Sequence, residues 1–113
     1  MRTKKDTKNQ SRILIVDSNS REKNNLAAVL HKKLGCEILV AETPADAMKI
    51  AKKGGISLLI TDLSQSGKKG LRFVKEIHKS FPGLVIIVSV PAKDRKLATE
   101  AMRSGAFMHI NFS

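Results

Sequence analysis

Two aspartates and a serine each end a short apolar run of the chain, and their side chains could do chemistry together. Asp17 ends the run ILIVD, Asp62 ends ISLLITD, and Ser89 ends LVIIVS. A carboxylate can accept a transferred group or bind a hard cation such as Mg²⁺, and a hydroxyl can donate a hydrogen bond beside it. This chemistry requires the three side chains to meet, so the elements that position them have to be predicted next.

Short apolar runs bounded by glycine, serine and proline are typical of strands that are buried on both faces. Between these runs, apolar residues recur at helical spacing, and Thr43-Pro44 followed by Asp46 is typical of a helix start. The segment 63–69 is predicted to be an exposed, mobile loop. The patterns predict strands at 12–17, 37–41, 56–62, 84–90 and 106–111. They predict helices at 21–34, from Pro44 to a stop at Gly54-Gly55, at 70–81 and at 91–104.

The alternation of strands and helices predicts the fold class. A chain of the order βαβαβαβαβ favours an α/β fold with a parallel sheet, helices on both faces and right-handed crossovers. In such sheets, ligands bind outside the carboxyl ends of the strands, where the chain changes from one face to the other. Asp17, Asp62 and Ser89 all stand at such ends. We therefore expect them to surround one acidic pocket.

Length and composition indicate one domain without a membrane anchor. The 113 residues suffice for a single domain, and the polar, basic segment 1–11 predicts a disordered arm before a domain at 12–113. No apolar run approaches the about 20 residues of a membrane-spanning helix. The single cysteine, Cys36, fits a reducing compartment. These features predict a cytoplasmic protein.

The formal net charge of +11 is high for this length and raises the alternative of nucleic-acid binding. The lysines and arginines are spread along the predicted helices, however, and such scattered cations are more often a solvated surface. Trp and Tyr are absent, which argues against base stacking with a single strand. The nucleic-acid alternative therefore ranks low, and any such role would require an attached output domain.

Four segments together resemble the receiver domain of two-component response regulators over residues 12–113. They are RILIVDS, LLITDL, VIIVSV and GAFMHINFS. The resemblance implies a flavodoxin-like (CheY-like) doubly wound, five-stranded parallel sheet in the order 2-1-3-4-5. It also implies a phosphorelay function, in which a histidine kinase or phosphotransfer protein passes a phosphoryl group to an aspartate with the help of Mg²⁺.

The resemblance also implies residue roles. Asp62 matches the phospho-acceptor and Ser89 the switch hydroxyl, while Asp17, Asp62 and the backbone carbonyl of Ser64 match ligands of Mg²⁺. Partner docking is expected at the fourth helix and fifth strand, residues 92–111, where a downstream protein, a fused output domain or a second copy would bind.

The chain departs from the family pattern at several positions. Ser18 stands where a second acid is usual, and Phe112 stands where a lysine is usual. His109 occupies the aromatic switch position, and Gln65-Ser66 replaces Met-Pro. The fifth helix of the family is expected to be missing or truncated here. A hydroxyl is a weaker ligand for Mg²⁺ than a carboxylate, and Phe cannot neutralise a phosphoryl group, so these changes predict a degenerate phosphorylation site.

Further side chains near the predicted pocket have modest expected roles. Lys68-Lys69 could supply the missing positive charge, although such loop lysines are usually solvated. His109 is expected to be a partly buried switch side chain, and Met48, Met102 and Met108 are expected to fill the core.

The main hypothesis is a receiver domain that signals by docking a protein and is not an enzyme. One alternative is a pseudo-receiver scaffold that works without phosphorylation. A second is a hydrolase using Asp17 and Asp62, but haloacid-dehalogenase-like phosphatases carry their paired acids on one strand, whereas these lie on different strands.

Overall fold

The structure, a computed structural model, describes residues 12–16, 28–29, 31–33, 35–64 and 66–112. Five strands form one parallel sheet in the order β2-β1-β3-β4-β5, which confirms the predicted α/β fold and strand order. Residues 28–29 and 31–33 have helical backbone within the predicted helix 21–34. The elements with defined bounds are β1 (Arg12–Val16), β2 (Glu37–Ala41), α1 (Pro44–Lys52), β3 (Leu58–Asp62), α2 (Gly67–Ser80), β4 (Val85–Pro91), α3 (Arg95–Ser104) and β5 (Met108–Phe112).

Several predicted features lie outside the described residues. They are the arm at 1–11, the site residue Asp17 and its neighbour Ser18, and Gln65. The structure therefore describes two of the three strand-end side chains from which the sequence analysis began.

The register of the central strands explains how distant parts of the chain meet. Val16 of β1 is paired with Thr61 of β3, and Asp62 of β3 is paired with Ser89 of β4. Because paired residues of parallel strands project to the same face, Asp62 and Ser89 point the same way. The sheet thus places a carboxylate and a hydroxyl from separate strands beside each other.

One face of the sheet forms a continuous core with the helices. Leu14, Leu59 and Ile86, from three adjacent strands, are completely buried there. The helices cover these residues in a single apolar cluster, because their own apolar residues recur at the spacing that lines one side of a helix. The helical members of the cluster are Ala47, Ala51, Leu71, Phe73, Val74, Ile77, Leu97, Ala98 and Ala101.

On the opposite face, the described side chains of β3 and β4 are only partly buried, so the prediction of strands buried on both faces is wrong for these two strands. Residues 58, 60, 85 and 87 are only half-buried on this face. On the edge strand β5, Met108 is 44% exposed and Ile110 is 49% exposed. Met108 is therefore not a core residue. Neither is Met102 of α3, which is 40% exposed, whereas Met48 does pack against the core.

The segment after β3 is shorter and better packed than the mobile loop predicted at 63–69. Leu63 is completely buried, and α2 already begins at Gly67. Gly67 has a positive φ of +50°, which glycine adopts without steric cost, so the chain can turn sharply into the helix. Gly70 lies so close to the side chains of Ser66 and Leu63 that a methyl group there would require them to shift.

The start of α3 also differs from the prediction. Pro91 belongs to β4, and the helix begins at Arg95 rather than at 91. Asp94 is the N-cap, because its side chain accepts a hydrogen bond from the backbone N–H of Leu97. The proline therefore ends the strand and does not start the helix.

Among the residues that the structure describes, no helix combines the length and apolar character needed to cross a bilayer.

Candidate functional site

The Asp62 carboxylate lies at the end of β3 and accepts three hydrogen bonds. The Ser89 hydroxyl donates to Oδ1 across 2.9 Å, and the backbone N–H of Ser64 donates to the same oxygen across 3.1 Å. The Ser64 hydroxyl donates to Oδ2 across 2.8 Å. The structure therefore brings together two predicted site residues, Asp62 and Ser89, that are 27 positions apart in the chain.

Backbone contacts hold this arrangement in place. The N–H of Leu63 donates to the carbonyl oxygen of Ser89 across 2.9 Å, which extends the pairing of β3 and β4 by one residue. The Ser66 hydroxyl donates to the carbonyl oxygen of Asp62 across 3.4 Å. Because Leu63 is also buried beneath this turn, the carboxylate is held by the packed end of the sheet rather than by an exposed loop.

The hydrogen bonds leave the carboxylate with capacity for one more partner. An ionised carboxylate has about four lone-pair sites on its two oxygens. Oδ1 accepts two hydrogen bonds and Oδ2 accepts one, so Oδ2 keeps one site. The side chain is half-buried and remains accessible. Such an oxygen can act as a nucleophile or as a ligand of a cation.

The sequence analysis missed the side chain of Ser64, for which it predicted only a backbone role. Ser64 contacts the carboxylate through both its N–H and its hydroxyl. An aspartate in a turn typically accepts a hydrogen bond from the backbone N–H two residues later. That pattern was a usable signal, but the hydroxyl contact depends on a rotamer that the sequence does not specify.

Comparison with known proteins adds an independent observation. The family model for the response regulator receiver domain matches residues 13–111. The chain belongs to the response regulator receiver family.

Relatives agree with this assignment. A response regulator receiver protein of Anaeromyxobacter sp. (strain Fw109-5) is 34% identical over 77 residues, which are 68% of this chain and 32% of that protein. The match thus covers about a third of the length of this relative. A response regulator receiver domain protein from Clostridium thermocellum has a similar structure, with a TM-score of 0.80 and 27% identity over 89% of this chain and 81% of that one.

A further similar structure is a complex. The Saccharomyces cerevisiae histidine phosphotransfer signaling protein Ypd1 was solved with the receiver domain of its downstream response regulator Ssk1. The match has a TM-score of 0.78 and 21% identity, and it covers 90% of this chain and 78% of that one. At this identity, the likeness shows the fold alone. Receiver domains as a family are signalling modules that interact with histidine kinases or phosphotransfer proteins.

The lysines beside the site of this receiver domain do not contact the carboxylate. Within the described part of the chain, the one ion pair shorter than 4.0 Å joins Arg12 to Glu37. Both residues begin their strands, so they lie at the opposite end of the sheet from Asp62. Lys68 instead lines a groove between α2 and α3. The structure thus gives no support to the idea that Lys68-Lys69 replaces the missing lysine.

Receiver domains generally bind Mg²⁺ at the phosphorylation site, which requires oxygen ligands near the acceptor carboxylate. Among the described residues, no group of three His, Cys, Asp or Glu side chains is close enough to hold a metal. Asp62 offers one oxygen site, and Asp17 follows Val16 directly in the sequence. Val16 is in register with Thr61, the neighbour of Asp62. Carboxylate oxygens and water are ligands that suit Mg²⁺, so the donor chemistry of Asp62 fits.

A second groove lies between α3 and β5, within the docking surface predicted at 92–111. Its volume is about 650 Å³, and its lining includes Arg95, Met102, His109 and Asn111. His109 is exposed in this groove, so the prediction of a partly buried side chain is wrong. It is in register with Val88 of β4, so it projects to the face on which the helices pack, but it lies on the edge strand, beyond the residues that those helices bury.

Proposed function

We propose that this receiver domain, residues 12–113, accepts a phosphoryl group on Asp62 from a histidine kinase or a phosphotransfer protein and then signals by docking a protein. The observation that carries the proposal is the pairing of the half-buried Asp62 carboxylate with the Ser89 hydroxyl, 2.9 Å away. The two side chains project from adjacent strands at the edge of the sheet where ligands bind in this class of fold.

In the proposed reaction, an oxygen of Asp62 attacks the phosphorus atom of the donor. A new bond forms between this oxygen and phosphorus, and the bond from phosphorus to the donor's nitrogen or oxygen breaks. The leaving group keeps the electron pair and takes up a proton from water. Ser89 then donates its hydrogen bond to a phosphoryl oxygen instead of to the carboxylate, and it thereby acts as the switch hydroxyl.

Asp17, Asp62 and the backbone carbonyl of Ser64 would hold Mg²⁺ in this proposal. When bound, the cation neutralises negative charge on the transferring group. Ser18 and Phe112 supply neither a second charged ligand nor a positive charge, so the chain's own contribution rests on positioning the acceptor oxygen. For this reason we expect slower phosphorylation than in a receiver that has both groups.

Partner docking is assigned to the groove between α3 and β5. Apolar Met102 beside cationic Arg95 and Arg103 offers the mixed surface that protein partners use. The partner at this surface would be a downstream protein, a fused output domain or a second copy of the chain. A kinase-coupled receiver works in the cytoplasm, and it signals through docking rather than by turnover of phosphomonoesters.

The test is incubation with a small acyl phosphate and Mg²⁺, followed by intact-mass measurement. We expect one phosphoryl adduct that is absent in Asp62→Asn. The yield at early times should fall about tenfold in Ser89→Ala, because a hydrogen bond to a charged group is lost. The matched control is Ser57→Ala, an exposed serine outside the site, which should behave as the native chain does.

Two outcomes would contradict the proposal. An adduct that persists in Asp62→Asn would place the acceptor elsewhere. No adduct at all, with the chain folded and Mg²⁺ present, would favour the pseudo-receiver scaffold that works without phosphorylation.

A further inference from the structure

A groove between α2 and α3 carries cations on both of its walls. Its volume is about 370 Å³. Lys68, Arg72 and Lys75 line it from α2, and Arg103 lines it from α3. This groove is separate from the Asp62 carboxylate, and it differs from the groove between α3 and β5, which shares only Arg103 with it.

The spacing of these cations favours an elongated ligand. Positions 68, 72 and 75 are four and three residues apart, so they form one stripe along the helix. At about 1.5 Å of rise per residue, the stripe is about 10 Å long. An extended peptide advances about 3.3 Å per residue, so three of its residues would run the length of the stripe.

Within the described residues, none of the four cations is held in an ion pair, although Glu100 lines the same groove. All four side chains are exposed. Among the residues that the structure describes, none of them has a carboxylate oxygen within 4.0 Å, since the ion pair found there joins Arg12 and Glu37. Like charges held around one groove repel one another, and an anionic ligand would relieve this repulsion. The guanidinium groups of Arg72 and Arg103 can also bind a carboxylate through two parallel hydrogen bonds.

The anion is more consistent with a protein segment than with nucleic acid. Glu100 stands in the wall of the groove and is half-buried, so it would repel a continuous phosphate backbone. A peptide carries hydrogen-bond donors between its acidic side chains, and a donor can face Glu100. The groove is also concave and has no aromatic residue in its lining for base stacking.

We propose that the groove between α2 and α3 binds an acidic, extended segment of a partner protein. This binding surface is additional to the phosphorylation site and to the docking surface at 92–111. The cations provide attraction and orientation, and Glu100 selects against ligands that are uniformly negative.

The test begins with selection of a random displayed peptide library against the purified chain. We expect enrichment of peptides with acidic residues at alternate positions. The affinity of the selected peptides, measured by fluorescence anisotropy, should fall at least tenfold in the double variant Arg72→Glu/Lys75→Glu. Both residues line this groove and not the one beside β5.

The matched control is Lys49→Glu/Lys52→Glu on α1, which changes the net charge by the same amount at exposed positions away from the groove. It should bind the peptides within twofold of the native chain, as should Asp62→Asn, which separates this proposal from phosphorylation. Circular dichroism checks that every variant is folded.

Several results would overturn the proposal. Enrichment of peptides without acidic residues would do so, as would equal loss of binding in the two double variants, which would indicate unspecific attraction. Duplex DNA or phosphatidylserine vesicles that bind more tightly than the peptides, and lose binding only in Arg72→Glu/Lys75→Glu, would assign the groove to nucleic acid or membrane instead.

Discussion

Among the residues that the structure describes, the two faces of β3 and β4 differ in how deeply their side chains are buried, and the candidate site lies on the less buried face. On one face, Leu59 and Ile86 are completely buried under the helices. On the other, Leu58 and Ile87 are half-buried, and Ile110 is 49% exposed. Asp62 and Ser89 share this second face by strand alternation. The fully buried side chains of β3 and β4 therefore contribute more packing energy than their half-buried neighbours, and the half-buried face keeps the candidate acceptor accessible.

Two adjacent leucines of β3 test most directly whether the two faces of the sheet contribute differently to stability. Leu59→Ala should lower the free energy of unfolding by about 2–5 kcal/mol, because it opens a cavity in the covered face. Leu58→Ala, on the half-buried face, should cost about 1 kcal/mol. Urea denaturation of both variants measures the difference. Equal losses would mean that the two faces contribute equally to stability.

The tight packing at the start of α2 predicts the next largest effect. Gly70→Ala should lower the free energy of unfolding by about 1–3 kcal/mol, since the new methyl group would meet Ser66 and Leu63. Gly83→Ala is the control, because no atom lies within 4 Å of a methyl group there, and it should change stability by less than about 0.5 kcal/mol. A neutral Gly70→Ala would show that this turn can rearrange.

A smaller effect on stability is expected at the N-cap of α3, one of the helices that pack on the buried residues of the sheet. Asp94→Ala removes the hydrogen bond to the N–H of Leu97, and it should lower the free energy of unfolding by about 1 kcal/mol. Asp94→Asn keeps an acceptor and should restore most of the loss. Thermal unfolding distinguishes the two variants. If Asn fails to rescue, the charge of Asp94 matters more than the hydrogen bond.

The smallest effect is predicted on the exposed edge strand. Ile110→Thr exchanges one β-branched residue for another at a position that is 49% exposed, so stability should change by about 0.5 kcal/mol or less. Ile15 of β1 projects to the same face of the sheet but is buried, so Ile15→Thr should lower the free energy of unfolding several times more. A large loss at Ile110 would indicate that the edge strand is covered in solution, for example by a second copy.

The accuracy of the sequence analysis differed between elements for physical reasons. Strand β2 at 37–41 was predicted with its observed bounds, because its apolar run is short and ends at clear turn residues. The start of α2 was predicted three residues too late, since Gly67 at a positive φ begins a helix without a side-chain cap hydrogen bond. Pro91 was read as a helix start, although the proline at the end of β4 only closes the strand.

At the candidate site, the sequence correctly predicted that Asp62 and Ser89 are neighbours. It predicted only a backbone role for Ser64 and not the contact of its hydroxyl with Asp62. The convergence of the first two follows from the parallel topology, which depends on the whole alternating pattern and not on any single residue. The Ser64 hydroxyl contact depends on one side-chain rotamer in a turn, and local sequence does not determine it.

The sequence by itself determined the order of strands and helices, the parallel sheet and the two residues that meet across β3 and β4. These properties follow from hydrophobic periodicity and from the steric rules of strand connection, both of which can be read along the chain. Only the tertiary structure decided which sheet face is covered, where Met102, Met108 and His109 lie, and that cations from α2 and α3 line one groove. Exposure and groove shape depend on how separate elements pack against one another, and no local stretch of sequence encodes that arrangement.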